Sequence, residues 1–158
     1  MNKNRLPTDL QYLFQNKYLD CITILILAKE FQRRQKGVIL EELLYYFTIM
    51  ELVSGCDNSY ELDKTYFQEN YLLNEKLISD YIVVLINQQY VNVYMEKTEK
   101  KSALYLKISE EGIVIIDGLE NDFFKEQIRI CKYVVKTFKY GVMAQRKAMS
   151  KYEKYNKD

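Results

Sequence analysis

Histidine is missing from this chain altogether, and its three cysteines, Cys21, Cys56 and Cys131, stand far apart with no CxxC spacing. Structural zinc is therefore not expected, because it is held by closely spaced Cys and His ligands. The usual carrier of protons near neutral pH is also gone. No GxxxxGK[ST] phosphate loop, GxSxG elbow or HExxH pair appears. The adjacent carboxylates Glu41-Glu42 and Glu110-Glu111 point to different sides of any helix that carries them. These gaps predict no enzymatic activity, no cofactor and no metal.

Proline occurs once and glycine five times, and no Gly/Ser-rich or Pro-rich tract, internal repeat or low-complexity segment interrupts the chain. Compact order is expected nearly throughout. The longest unbroken apolar run, Ile24 to Ala28, lies between Thr23 and Lys29, far short of the roughly 20 residues that cross a bilayer. The opening "MNKNRLPTDLQYLFQNK" has basic residues but no continuous apolar core, so no secretory signal is expected. No membrane contact and a cytoplasmic location are predicted.

What the chain has is apolar surface: 48% of its 158 residues are hydrophobic and 15 are tyrosine, enough for one domain with a real core. Pro7-Thr8-Asp9 precedes "LQYLFQ", which reads as a short capped helix or a docking arm. From Lys17 to Arg34, Leu19, Ile22, Ile24, Leu25, Ile26, Leu27 and Phe31 cover most of a helix, predicting burial on several sides. Cys21 and Cys131 fall on apolar stripes, where a thiol acts as a small hydrophobe.

Gly37 ends that helix, Val38-Ile39 reads as a brief strand, and Leu40, Leu43, Leu44, Phe47 and Met50 recur at the spacing of a second helix. Ser54 to Ser59 is a turn-rich break, and "YELDKTYFQENYLL" fits either a short helix or an ordered loop. Asn74 then reads as the cap of a third helix, with Leu77, Ile78, Tyr81, Ile82, Leu85 and Ile86 inward and Glu75, Ser79, Asp80 and Val83 outward. "YVNVYME", "KTEKK" and "SALYLKI" form a hairpin. Ser109-Glu110-Glu111 caps a further helix.

From Asn121 onward the sequence predicts one long helix. Phe124, Ile128, Cys131, Val135, Phe138, Val142, Gln145, Met149 and Tyr152 recur at alternating four- and three-residue steps, the seam of lengthwise packing. That seam fits either the chain's own domain or an interface with a partner or second copy. Gly141 is a point of local weakness.

Net charge is only +1, but its distribution is uneven. Residues 40 to 80 contain nine carboxylates and two lysines, a net of −7, whereas residues 120 to 158 contain ten basic and five acidic residues, a net of +5. The acidic span includes the second helix and the start of the third. Reading duplex DNA with these helices would need lysine and arginine against phosphates. Base readout by the third helix is disfavoured by Glu75, Ser79 and Asp80. Nucleic-acid contact is left to Lys97, Lys100 and Lys101 at the hairpin tip, or to Lys125, Arg129, Lys132, Lys136 and Lys139 along the last helix, which also read as a solvated face.

The order of helices, hairpin and terminal helix resembles winged-helix proteins over residues 17–119. More narrowly, "NKYLDCITILILAKEFQ" with "GVILEELLYYFTIM" and "LLNEKLISDYIVVLINQQYVNV" resembles the middle component of ABC-three-component systems. That group includes the small accessory subunit of Lamassu-type antiphage defence. The resemblance implies a non-catalytic adapter that binds an SMC-like, coiled-coil ATPase and helps hold an effector subunit, often a nuclease, until foreign DNA is sensed. No family residue transfers by motif.

The expected fold is mainly α with a small β-hairpin, a winged helix-turn-helix with a long C-terminal helix. Residues 1–16 are expected as an N-terminal arm, 17–119 as the winged-helix domain and 120–158 as a helix for packing or oligomerisation. Candidate partner contacts are Tyr45, Tyr46, Tyr66, Phe67, Phe124, Ile128, Val135, Phe138 and Val142, aromatic and aliphatic anchors of the kind that dominate interfaces. The alternative expectation is a dimeric winged-helix DNA-binding regulator that uses the tip lysines on phosphates and the last helix to form a homodimer.

Overall fold

A computed structural model describes residues 8–56 and 59–141, with side chains described from Lys17 onward except at 54–56. In chain order it contains α1 (Thr8–Glu30), β1 (Val38–Ile39), α2 (Leu40–Leu52), β2 (Val53–Cys56), β3 (Ser59–Leu62), α3 (Phe67–Asn87), β4 (Val91–Lys97), β5 (Ser102–Ile108), α4 (Glu110–Asp117) and α5 (Asp122–Thr137). The fold is mainly helical with a small antiparallel sheet in the order β1-β5-β4, and β2 pairs separately with β3.

The second helix carries more apolar surface than one stripe can hold. Its periodicity predicts an amphipathic helix, yet every residue from Glu42 to Met50 is buried. The reason is that α1, α3, α5 and β5 all pack on it. Phe47, Leu43 and Ile49 are among the most deeply buried side chains of the core. Glu42 lies in this set because Arg34 meets its carboxylate with two nitrogens, at 2.8 and 3.2 Å. Such fork-to-fork pairing offsets the loss of water around a buried charge.

Two boundaries differ from the sequence-based expectation. No break separates an N-terminal arm at residue 16, since α1 is continuous from Thr8, and residues 1–7 lie outside the described set. At the other end the helix predicted from Asn121 to the terminus stops at Thr137. Phe138 leaves helical geometry at φ −106° and ψ 75°. Tyr140 then turns inward: its backbone N–H donates to the Tyr46 hydroxyl at 3.0 Å and its ring meets Tyr45 edge-on, with centroids 5.6 Å apart. Docking on the α2 aromatics thus competes successfully with continuing the helix. The expected seam residues Val142, Gln145, Met149 and Tyr152 lie outside the described residues.

The segment read as a turn-rich break forms the β2–β3 hairpin, registered from Val53 opposite Leu62 to Cys56 opposite Ser59. It is tied to α5 by the Tyr60 hydroxyl, which donates to Glu126 at 2.9 Å, and by the Tyr60 and Tyr133 rings at 4.8 Å. The expected hairpin is present as β4–β5, with Val91, Val93 and Met95 opposite Ile108, Leu106 and Leu104. Ser109 caps α4 by accepting from the Gly112 N–H at 3.1 Å. Among the described residues, no helix is long and apolar enough to cross a membrane.

Gly37 lets the chain turn from α1 into the sheet. It has φ +83°, and an added Cβ would lie 2.1 Å from the Leu106 carbonyl oxygen. Gly118 is the contrast, with its nearest neighbour at 3.3 Å. Gly37→Ala is expected to destabilise the fold by about 2 kcal/mol or more, combining left-handed strain with a backbone clash. Gly118→Ala should stay within about 1 kcal/mol of the parent. Urea unfolding midpoints of the two variants check this ordering.

Candidate functional site

A helix of 21 residues that covers a core with one side must show the other to solvent, and α3 does so with leucines. Phe67, Tyr71, Asn74, Ile78, Tyr81, Ile82 and Leu85 face inward. On the opposite side Leu72, Leu73, Leu77, Val83 and Ile86 are 49, 58, 43, 54 and 41% exposed. Leu73 and Leu77 are one turn apart, as are Val83 and Ile86, and Lys76 and Asp80 bridge the two groups at helical spacing. Tyr66, just before the helix, is 56% exposed.

The charges on this outward side are Glu69, Glu75, Asp80 and a single Lys76, all exposed. None of the four makes an ion pair with another described residue. A phosphate backbone approaching α3 would meet uncompensated carboxylates and exposed leucines. A protein surface with an apolar stripe and basic flanks would meet complementary ones.

The inward side of α3 is fixed by a polar tie that sequence reasoning assigned elsewhere. Asn74 does not cap the helix, which begins seven residues earlier at Phe67; it is buried in mid-helix at 5% exposure. Its Nδ2 donates to Thr48 Oγ1 at 3.1 Å and to Glu51 Oε2 at 3.0 Å, and Thr48 Oγ1 donates to the Leu44 carbonyl at 2.8 Å. Beside this tie, Asp20 of α1 accepts from the Tyr81 hydroxyl. Loss of surrounding water raises both Asp20 and Glu51 above the ordinary carboxylate range, and each carboxylate loses part of that rise to its hydrogen bond. Burial likewise pushes the Tyr81 phenol up, helped by the hydrogen bond to Asp20.

The candidate contact residues separate into three groups. Tyr45, Tyr46 and Phe67 are 4, 2 and 1% exposed, so their expected role as surface anchors is corrected: they form the aromatic centre of the core, with Tyr45 contacting Tyr46 at 5.2 Å and Phe67 at 6.1 Å. Phe124, Ile128, Val135 and Phe138 are half-buried, because α5 lays its stripe on α1 and α2 and hides Ile130, Cys131 and Val134 completely or nearly so. Only Tyr66 is an exposed anchor, and Val142 lies outside the described residues.

Lys97, Lys100 and Lys101 are all exposed at the β4–β5 tip. The turn is closed by the Thr98 N–H donating to the Lys101 carbonyl at 2.8 Å. The hairpin is tied to the turn after α1 at both ends, near the tip where Lys36 pairs with Glu96 at 2.8 Å and near the base where Lys107 donates to the Arg34 and Gln35 carbonyls at 3.0 and 3.1 Å. Along α5, Lys125, Arg129, Lys132 and Lys136 are exposed as expected, and so is Lys139 just beyond the helix. Cys21 and Cys131 are buried free thiols, and burial raises the pKa of both.

The leucines of α3 were missed because Leu72 and Leu73 precede the residue read as the cap. Leu77 and Ile86 were placed inward with the rest, and are corrected here to the outward side. One signal was available. Leu72, Leu73 and Val83 turn away from the stripe of Ile78, Tyr81, Ile82 and Leu85, so the helix is apolar beyond one side, while Leu77 and Ile86 stand one turn from Tyr81 and Ile82 at that stripe's margins.

A carboxylic acid that is raised by folding keeps its proton longer in the native chain than in the unfolded one. Stability then falls as pH rises above the unfolded carboxylate value of about 4. Glu51→Gln keeps the acceptor for Asn74 and removes that titration. The variant should match the parent near pH 4 and gain on it as pH rises, the difference levelling off once Glu51 is ionised in the native chain as well, read from urea midpoints across the range. Asn74→Ala should lose about 1–3 kcal/mol by stripping the tie of its donor.

No family model, curated protein or solved structure matches this chain.

Proposed function

We propose that this chain is a non-catalytic adapter, built on a winged-helix type of module, that docks a protein partner on the outward side of α3. The observation that carries this reading is the pairing of five exposed aliphatic side chains with a three-to-one excess of carboxylates on that one helix side. Leu73 with Leu77 and Val83 with Ile86 form two apolar groups with Lys76 and Asp80 between them, and exposed apolar surface bordered by charge marks protein interaction sites. The helix order, the β1-β5-β4 sheet and the hairpin following α3 support the winged-helix assignment.

The partner's chemistry follows from the surface. An amphipathic helix with an apolar stripe flanked by lysine or arginine satisfies both the leucines and the acids. Coiled-coil ATPases offer such helices, and the resemblance to the middle component of ABC-three-component systems supplies that partner class, with an effector as a further subunit in antiphage defence. Lys97, Lys100 and Lys101 leave the hairpin tip as the part of the module suited to phosphate.

Leu73→Glu combined with Leu77→Glu tests the docking side without touching the core. The double variant should keep the parent's thermal midpoint and lose the coiled-coil ATPase that the parent is expected to co-purify from its native cells. Lys100→Glu with Lys101→Glu should leave that co-purification intact. Retention of the ATPase by the leucine variant would overturn the reading. Duplex DNA bound by the isolated protein at micromolar strength in physiological salt, with affinity falling steeply as salt rises, would favour a dimeric DNA-binding regulator instead.

A further inference from the structure

The last turn of α1, the end of α4 and the middle of α5 leave a cavity of about 420 Å3 between them. Its floor is aliphatic: Ile26 and Ile116 belong to the core at 2 and 3% exposure, and Ile128 is half-buried. Its rim is cationic, with Lys29, Arg33 and Lys132 against one lining carboxylate, Glu30. The volume falls within the range of small-molecule sites, roughly 300–1,000 Å3.

These cations are not consumed by the fold in equal measure. Lys29 pairs with Asp117 of α4. Arg34 is committed to Glu42, and Lys107 serves the carbonyls of the turn that follows α1. Arg33 and Lys132 make no ion pair with any described residue. Two cations without an ion-pair partner therefore stand over an aliphatic floor inside an otherwise polar lining, a combination that neither a neutral apolar ligand nor a bare ion would use fully.

We propose that this cavity binds a small amphiphilic anion, an apolar or aromatic body carrying a phosphate or carboxylate. The body rests on Ile26, Ile116 and Ile128, and the anionic head is held by Arg33 and Lys132. The site lies on α1 and the turn after it, α4 and α5, so it is independent of the docking side of α3.

Calorimetric titration of the full chain with adenosine monophosphate, octanoate and inorganic phosphate, each in turn, tests the proposal. The nucleotide and the fatty acid distinguish the two sources of such an anion. At least one should bind with millimolar or tighter affinity, and inorganic phosphate should bind at least about tenfold more weakly, because it leaves the floor empty. Arg33→Ala and Lys132→Ala should each weaken the organic anion by about fivefold or more. Both positions are exposed, so the thermal midpoint should hold. Lys100→Ala on the hairpin should change nothing. Absence of binding by both organic anions, affinity unmoved by both cavity variants, or phosphate binding as tightly as the organic anions would each overturn it.

Discussion

The rest of the structure depends on the burial of α2 around its whole circumference. Nine successive residues, Glu42 to Met50, are removed from water, and each large apolar side chain among them contributes roughly 1.5–3 kcal/mol by that transfer. A helix with no solvent side must be covered from every direction, which fixes α1, α3, α5 and the sheet as its cover. It also explains why Tyr140 folds back onto Tyr45 and Tyr46 once α5 has ended: the aromatic side of α2 has to be closed. Glu42 is tolerated inside this cover because Arg34 reaches it with both terminal nitrogens.

Covering α2 determines what α3 can show. The tie from Asn74 to Thr48 and Glu51 fixes the rotation of α3 about its own axis, because a buried amide that loses its partners costs about 1–3 kcal/mol. With Asn74 pointing at α2, helical spacing places Leu72, Leu73 and Val83 outward and leaves Leu77, one turn on from Asn74, at the margin. The docking side is thus a consequence of the core. Asp20 and Glu51, each raised above its ordinary pKa by partial loss of surrounding water, stand at this junction of α1, α2 and α3.

Legibility in the sequence followed periodicity. Single-stripe or all-round apolar segments were readable: the part of α1 from Lys17, the β4–β5 alternation and the Ser109 cap all stand where residue spacing places them. Segments with two competing signals were not. Asn74 is a good cap residue and also a good buried amide, and only the tertiary partners Thr48 and Glu51 decide between them. Ser54 to Ser59 is rich in turn formers, yet a hairpin arises there because Tyr60 finds Glu126 and Tyr133 on a distant helix. Tyr45, Tyr46 and Phe67 were legible as large and apolar; which way they faced depended on neighbours far along the chain. The charge asymmetry was readable directly, and Glu69, Glu75 and Asp80 stand outward as spacing requires.

Scattered exposed hydrophobics are normal on any protein and by themselves imply nothing. On α3 they are not scattered. Five of them share the outward side of one helix, and helix formation does not require them, since glutamate or lysine at the same positions has nearly the same propensity as leucine. The core does not require them either, because it is closed by Ile78, Tyr81, Ile82 and Leu85. Solubility argues against them. The α5 exterior shows the contrasting solution: apart from Phe123 near its start, its exposed side includes Lys125, Arg129, Lys132 and Lys136. Two amphipathic helices in one small domain therefore treat solvent differently. The one that keeps leucine where charge would serve equally well is the one whose outward side a partner has reason to cover.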